Sequence, residues 1–316
     1  MNAQVVLIEP ISDAGLDRLR TWASFEVLSE LPAAEHDAAL ARADALIVRS
    51  TVIDAAVLDR CPRLRVIGRH GVGLENIDLR LAEARGIKVV NTPSANADAV
   101  SEFVIAAVLW LCRRLGEASY SLRNGLLADP TTSLPGQVVA AGLLGRELTS
   151  STLGIVGYGE IGSRVARTAS ILGMSVLVYD PYLTGPPAGP VELCVELPDL
   201  LQRTDVLSLQ APHRAGDAPL IGSDELAILP RGAGLINAAR AGVCDAAAVV
   251  RAVERGHLSG AVIDVYDPEP PAAENLSADA RILFTPHLAA MTGQALERMA
   301  HDVVEAVRTE LERGAA

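Results

Sequence analysis

Short apolar runs of strand length recur through the first third of the chain, at residues 5–8, 25–28, 45–48, 65–68 and 88–90. Between them the apolar positions fall at helical intervals, as over 13–20 and 36–43. Strands alternating with helices in this way predict parallel β-α-β units. Pro93 closes the series, and residues 97–115 then read as one long helix, apolar on most faces. Such a helix has to be buried, either between domains or at a subunit interface. Residues 124–145 hold several glycines and prolines with little periodicity, which predicts an arm or loop.

The alternation resumes at 153–156 and runs on through 175–179, 192–195, 206–209, 234–236, 261–265 and 282–284, with helices over 198–203 and 245–255 among them. Residues 293–313 read as one amphipathic helix, expected to return to the first domain. The predicted fold is α/β, with two doubly wound parallel-sheet domains. A flavodoxin-like substrate-binding domain spans 1–97 plus 290–316, and a Rossmann domain spans 98–289. Two crossings of the chain imply a cleft between the domains, with hinges near 97 and 290.

The richest stretch opens the second domain. After the apolar run at 153–156 come Gly157, Gly159 and Gly162, then Ile161, Val165, Ala169 and Leu172 at helical spacing, with Gly173 as a stop. A second strand ends on Asp180, eighteen residues after Gly162. Gly157 suits a tight turn, Gly159 lets a pyrophosphate approach the backbone, and Gly162 lets helix pack on strand. The N–H groups at the helix start hold phosphate charge. An acid in the position of Asp180 bonds an adenosine ribose and repels a 2′-phosphate, so the cofactor expected is NAD rather than NADP.

The formal charge of −12 argues against a nucleic-acid partner. Cys61, Cys112, Cys194 and Cys244 are scattered, which predicts reduced thiols in the cytoplasm and no metal site. The N-terminus runs into a strand with no signal-peptide pattern, and the most apolar helical stretch, 103–112, is too short to span a bilayer. Lys88 is the only lysine, and its place in a strand offers neither a P-loop nor Schiff-base chemistry.

Hydride transfer to a carbonyl requires an anchored carboxylate, a polarised carbonyl and a proton donor. Arg240, Glu269 and His287 each follow a predicted strand downstream of the glycine turn. A guanidinium fits a carboxylate and carbonyl together, and an imidazole exchanges protons near neutrality. A carboxylate beside that imidazole keeps it protonated. Asp264 interrupts an apolar strand, where an acid needs a partner such as a ligand amide. In the first domain, Arg49-Ser50-Thr51 follows a strand end, and the loop through Arg69, His70, Gly71, Val72 and Gly73 could turn backbone N–H groups toward a carboxylate.

Val48-Arg49-Ser50, the run from Gly68 to Asp78, Asn91-Thr92-Pro93, Gly157 to Gly162, Asn237 to Gly242, Gly260 to Val265 and Thr285 to Thr292 occur in one order. In these motifs the chain resembles the D-isomer-specific 2-hydroxyacid dehydrogenases, nearest the phosphoglycerate dehydrogenase branch. The resemblance implies that Arg240, Glu269 and His287 are catalytic. It implies an NAD site lined by Val72, Gly157, Gly159, Glu160, Ile161, Gly162, Asp180, Ala211, Pro212, Ala238, Ala239, Asp264, Ala289 and Ala290. Arg49, Ser50, His70, Gly71, Val72, Gly73 and Arg240 would hold the substrate, a small 2-hydroxy or 2-oxo acid. A homodimer joined through the NAD-binding domains is implied as well.

Gln210, Ala289, His70 and the 124–145 arm depart from the family pattern. His70, at a position usually small, is expected to narrow the pocket or touch an anionic tail. With no regulatory domain after residue 316, serine feedback is not expected. The expected activity is NAD-dependent interconversion of a 2-hydroxy and a 2-oxo acid with a second anionic group, such as 3-phosphoglycerate or 3-sulfolactate. A glyoxylate or hydroxypyruvate reductase and an NAD-sensing corepressor are the alternatives.

Overall fold

In the computed structural model the described residues are 3–314, apart from 186, 188 and 215. The chain forms two compact units, Met1–Asn96 with Ala290–Ala316, and Ala97–Ala289.

The first unit holds strands β1 (Ala3–Leu7), β2 (Ala23–Val27), β3 (Ala45–Val48), β4 (Val66–Arg69) and β5 (Lys88–Val90), with helices α1 (Asp13–Arg20), α2 (His36–Arg42), α3 (Ala55–Asp59) and α4 (Leu79–Ala84) between them. The strands are parallel in the order β2-β1-β3-β4-β5, the flavodoxin-like order. Strand alternation divides the core. Val6, Leu46 and Ile67 face Leu40, Leu58 and Ala82. Val5, Leu7, Ala45, Ile47 and Val66 face Leu19 together with Val303, Val304, Val307 and Leu311 of the last helix, Gly293–Arg313. Burial on both faces is why β1 and β3 read as unbroken apolar runs. The last helix sits directly on β4: a Cβ at Gly68 would stand 2.5 Å from a Val307 methyl and 2.8 Å from a Val303 methyl.

The second unit begins with α5 (Ala97–Cys112) and contains β6 (Thr152–Val156), β7 (Ser175–Tyr179), β8 (Glu192–Leu193), β9 (Val206–Leu209), β10 (Gly234–Asn237), β11 (Gly260–Ile263) and β12 (Ile282–Phe284). These are parallel in the order β12-β11-β10-β9-β6-β7-β8, which reverses direction between β6 and β9 as a Rossmann sheet does. The helices that follow α5 are α6 (Leu115–Arg123), α7 (Leu134–Ala140), α8 (Glu160–Ile171), α9 (Leu197–Gln202), α10 (Ser223–Ile228) and α11 (Ala246–Glu254).

Three expectations are corrected. The apolar helix ends at Cys112, where Arg114 turns the chain at a φ of 51°. Its buried face packs within its own unit: Val104, Ala107, Val108 and Leu111 lie with Leu153, Ile155, Val206 and Ile236. The 124–145 segment is not all loop, since α7 starts where the Ser133 hydroxyl accepts the Gly136 N–H and a proline occupies the first turn. The strand expected over 261–265 stops at Ile263, so Asp264 stands just past its end. Its neighbour Val265 is buried all the same, which is why the run looked like an unbroken strand.

Because the last helix lies against bare backbone at Gly68, Gly68→Val is expected to overpack that contact and cost about 1–3 kcal/mol. Urea unfolding measures it as a lower midpoint at unchanged slope.

Candidate active site

A parallel sheet sends every strand's carboxyl end to one edge. In the second unit that edge carries the glycine turn after β6, Asp180 after β7, Ala211 and Pro212 after β9, and Ala238, Ala239 and Arg240 after β10. Asp264 follows β11, and Thr285 to Ala289 follow β12.

The turn is built for close approach. Gly157 has a φ of 96°, and a Cβ there would stand 2.6 Å from the Gln210 carbonyl oxygen. A Cβ on Gly162 would meet the Gly157 carbonyl oxygen at 2.1 Å, which fixes the closeness of α8 to the turn. Nothing lies within 4 Å of the corresponding point on Gly159, so the backbone there is open beside the start of α8. Asp180 accepts the Tyr158 N–H at 2.8 Å and the Tyr182 N–H at 2.9 Å, one on each oxygen. Each oxygen keeps a lone pair, and the acid is fixed to the turn it serves. Open backbone, helix start and second-strand acid fit a dinucleotide with a free ribose hydroxyl. Glu160 is exposed and pairs with Arg164, while Ile161 packs half-buried against the core. Gln210 donates to the Ser208 hydroxyl at 3.0 Å.

Glu269 and His287 are in direct contact. Nδ1 of His287 lies 3.0 Å from both Glu269 carboxylate oxygens. An ionised carboxylate only accepts, so Nδ1 carries the hydrogen and Nε2 is left to exchange a proton. The pair is about half exposed, at 55% and 41%, so its value is orientation rather than stability. Glu269 is steadied in turn by the Tyr266 N–H at 3.1 Å. The Tyr266 hydroxyl lies 2.9 Å from the Ile263 carbonyl and 2.7 Å from the Thr285 carbonyl, tying the ends of β11 and β12.

Asp264 is fully buried, and its protein partners all come from the segment after β12. It accepts the Thr285 hydroxyl at 2.6 Å, the Leu288 N–H at 2.8 Å and the Ala289 N–H at 2.9 Å. These bonds brace His287, whose φ of 52° is unusual for a residue with a side chain. Strain of that kind costs about 1–3 kcal/mol, whereas each bond to a charged acceptor contributes about 1.5–3 kcal/mol. The brace wins.

Arg240 stands past the neighbouring strand with an extended backbone, and donates to the Ala239 carbonyl at 2.7 Å. Asn237, 1% exposed, holds that loop: its amide donates to the Arg240 carbonyl at 3.0 Å and to Cys244 Sγ at 3.3 Å, and its oxygen accepts the Ala239 N–H at 3.2 Å. Arg240, Glu269 and His287 thus follow three adjacent strands, β10, β11 and β12, and the latter two are in mutual contact. Sequence reasoning missed Asn237, Tyr266 and Thr285. Asn237 alone had a signal, as a polar residue ending an apolar strand.

At the carboxyl edge of the first unit, Gly71 and Gly73 are buried and Val72 half-buried. The N–H groups of these three residues donate to no protein group among the described residues. The Arg69 guanidinium occupies the space beside Gly71, where a Cβ would fall 1.4 Å from it, and donates to the His70 carbonyl at 3.0 Å. Val72 accepts the Asn91 amide at 2.6 Å. Ala290, half-buried, begins the return of the chain to this unit.

His70 is 3% exposed, and neither ring nitrogen has a hydrogen-bond partner among the described residues. Burial, with the charges of Arg49 and Arg69 nearby, lowers its pKa from 6.5 to about 4. A neutral imidazole keeps one N–H donor and one acceptor nitrogen. Ser50 is engaged within the protein. Its N–H and hydroxyl donate to Glu9 at 2.9 and 3.2 Å.

Fold and edge together define a dinucleotide-binding α/β protein of the Rossmann kind. The family model described as D-isomer specific 2-hydroxyacid dehydrogenase, NAD binding domain, matches residues 105–289, and the chain belongs to that family. The D-3-phosphoglycerate dehydrogenase of Mycobacterium leprae (strain TN) is 39% identical over 278 residues, covering 87% of this chain and 50% of that protein. The chain thus spans about half the length of the curated relatives it matches. Among solved structures, the TT0316 protein from Thermus thermophilus matches with a TM-score of 0.82 at 35% identity, over 98% of this chain and 97% of that one. A D-lactate dehydrogenase from Aquifex aeolicus, complexed with NAD and lactic acid, matches with a TM-score of 0.80 at 27% identity, over 98% and 95%.

The His70 environment sets a pH dependence of stability. Its folded pKa lies below the unfolded value, so between about pH 6.5 and 4 the unfolded chain binds a proton that the folded chain refuses. The neutral imidazole costs nothing above that window, and stability falls as pH drops through it. Between pH 7 and 5 the loss assignable to His70 is about 2 kcal/mol. Urea unfolding at the two pH values is expected to show a loss smaller by that amount in His70→Leu.

Proposed function

We propose that the protein is an NAD-dependent dehydrogenase that interconverts a D-2-hydroxy acid and its 2-oxo acid. The observation that carries this is the Glu269 carboxylate on His287 Nδ1 at 3.0 Å, on the same sheet edge as the glycine turn. NAD supplies the hydride acceptor when bound. His287 takes the hydroxyl proton at Nε2, or returns it in reduction, and Glu269 stabilises the imidazolium that forms. Arg240 anchors the carboxylate and polarises the oxygen at the reacting carbon. Residues Gly157 to Gly162 and Asp180 hold the dinucleotide, flanked by Ala211, Pro212, Ala238 and Ala239. Names among the relatives, D-3-phosphoglycerate dehydrogenase and D-lactate dehydrogenase, support a 2-hydroxy acid as substrate.

Arg49 favours a substrate with a second anionic group. Its guanidinium donates to Met291 Sδ at 3.1 Å, and no carboxylate lies within ion-pair distance of it among the described residues. A thioether is a weak acceptor, so the charge at this strand end remains available. The open N–H groups of Gly71 to Gly73 suit a carboxylate.

We further propose a cytoplasmic homodimer joined through the second unit. Among the described residues no helix is long and apolar enough to cross a membrane. That unit exposes Leu122, Leu126, Leu134, Val139 and Leu144, at 52–64%. Five large apolar side chains left exposed within residues 122–144 favour a contact surface there.

His287→Ala is expected to lower kcat for NADH oxidation with a 2-oxo acid about 10²–10⁴-fold, with NADH affinity unchanged in a fluorescence titration. Wild-type protein that turns over no 2-oxo acid sinks the assignment. Arg49→Ala is expected to raise KM for D-3-phosphoglycerate about tenfold or more and to leave KM for D-lactate within about twofold. Equal effects on both would remove the second anion from the proposal. Light scattering is expected to give a dimer, and Leu126→Lys with Leu134→Lys a monomer.

A further inference from the structure

Two loops at neighbouring strand ends of the first unit could each receive an anion on backbone N–H groups. After β4, the N–H groups of Gly71, Val72 and Gly73 have no protein acceptor among the described residues. After β3, every such donor is taken. The N–H groups of Arg49, Ser50 and Thr51 reach Glu9 at 2.9, 2.9 and 2.7 Å. The hydroxyls of Ser50 and Thr51 reach it at 3.2 and 2.8 Å. Glu9 follows β1, which lies beside β3 at the point where the strand order reverses. An internal carboxylate therefore sits where an open α/β sheet would otherwise offer a ligand site.

The geometry points to Glu9 as a positioning residue that sets substrate selectivity. It fills the β3 nest itself, which fixes the segment that carries Arg49 and leaves an incoming carboxylate only the β4 loop. An anion at β3 is then read by the Arg49 guanidinium and not by the backbone. Five donors on one carboxylate define a single loop conformation, and burial of the acid is more than offset by those bonds, which hold its pKa below the ordinary value. Without Glu9 the same donors would form a concavity suited to any small carboxylate. Substrates could then bind in two registers, one of them unproductive.

The inference rests on the dehydrogenase reading for its kinetic part only. In Glu9→Ala, sodium formate is expected to raise Tm by several degrees over sodium chloride at equal ionic strength, with no such difference in wild type. The ratio of kcat/KM for D-3-phosphoglycerate to that for D-lactate is expected to fall about tenfold, the scale of one charged hydrogen bond, and to recover with formate. Glu9→Gln keeps the volume and loses the charge. It is expected to lower the ratio about threefold with no response to formate, and serves if Glu9→Ala does not fold. An unchanged ratio in either variant, or a Glu9→Ala protein blind to formate, overturns the proposal. The formate measurement needs no turnover, so an inactive wild type would sink the dehydrogenase reading while Glu9 is still decided.

Discussion

A buried carboxylate, Asp264, holds the turn on which the proposed chemistry depends. It accepts one hydroxyl and two backbone N–H groups, all from the segment that follows β12. Both N–H groups come from the two residues immediately after His287, whose backbone is left-handed. A flexible loop would relax that conformation, and the imidazole would swing away from Glu269. Here the acid's need for donors and the turn's need for acceptors answer each other. Removing either side would leave a buried charge or unpaired amides, both more costly than the strain they hold in place.

The same logic runs along the whole edge. Parallel connections bury the strands on both faces and release the chain only at their ends, so polar residues collect there. Asp180 secures the glycine turn through Tyr158, Asn237 secures the Arg240 loop, and Tyr266 ties the ends of β11 and β12. Each side chain proposed to act here is held by a neighbouring group, as preorganised sites require.

The architecture was legible because parallel strands buried on both faces write themselves as apolar runs. β3 and β9 are examples, and the spacing of Gly157, Gly159 and Gly162 marks a turn with few alternatives. Arg240, Glu269 and His287 could be picked out as chemical side chains just past such runs. What was hidden has physical reasons. The end of β11 before Asp264 is invisible because Val265 is buried too. The apolar outer helix looked like an interface because periodicity cannot say which apolar neighbour covers it, and here it is the sheet of its own unit. Glu9 gave no signal, since its partners lie forty residues on and belong to another strand.

Charge at the edge of the first unit follows from the same contacts. Arg49 and Arg69 carry fixed positive charge, Glu9 is held ionised by the bonds of the β3 loop, and burial keeps His70 neutral. Glu9 offsets part of that positive charge, on a chain whose formal charge is −12. A protonated His70 would add a further positive charge. Burial and the neighbouring arginines disfavour that third cation. Attraction of an anion to this edge is therefore set by the arginines and trimmed by Glu9. On the proposed reading, a small change in that balance shifts which acids the edge admits, with the fold beneath it unaltered.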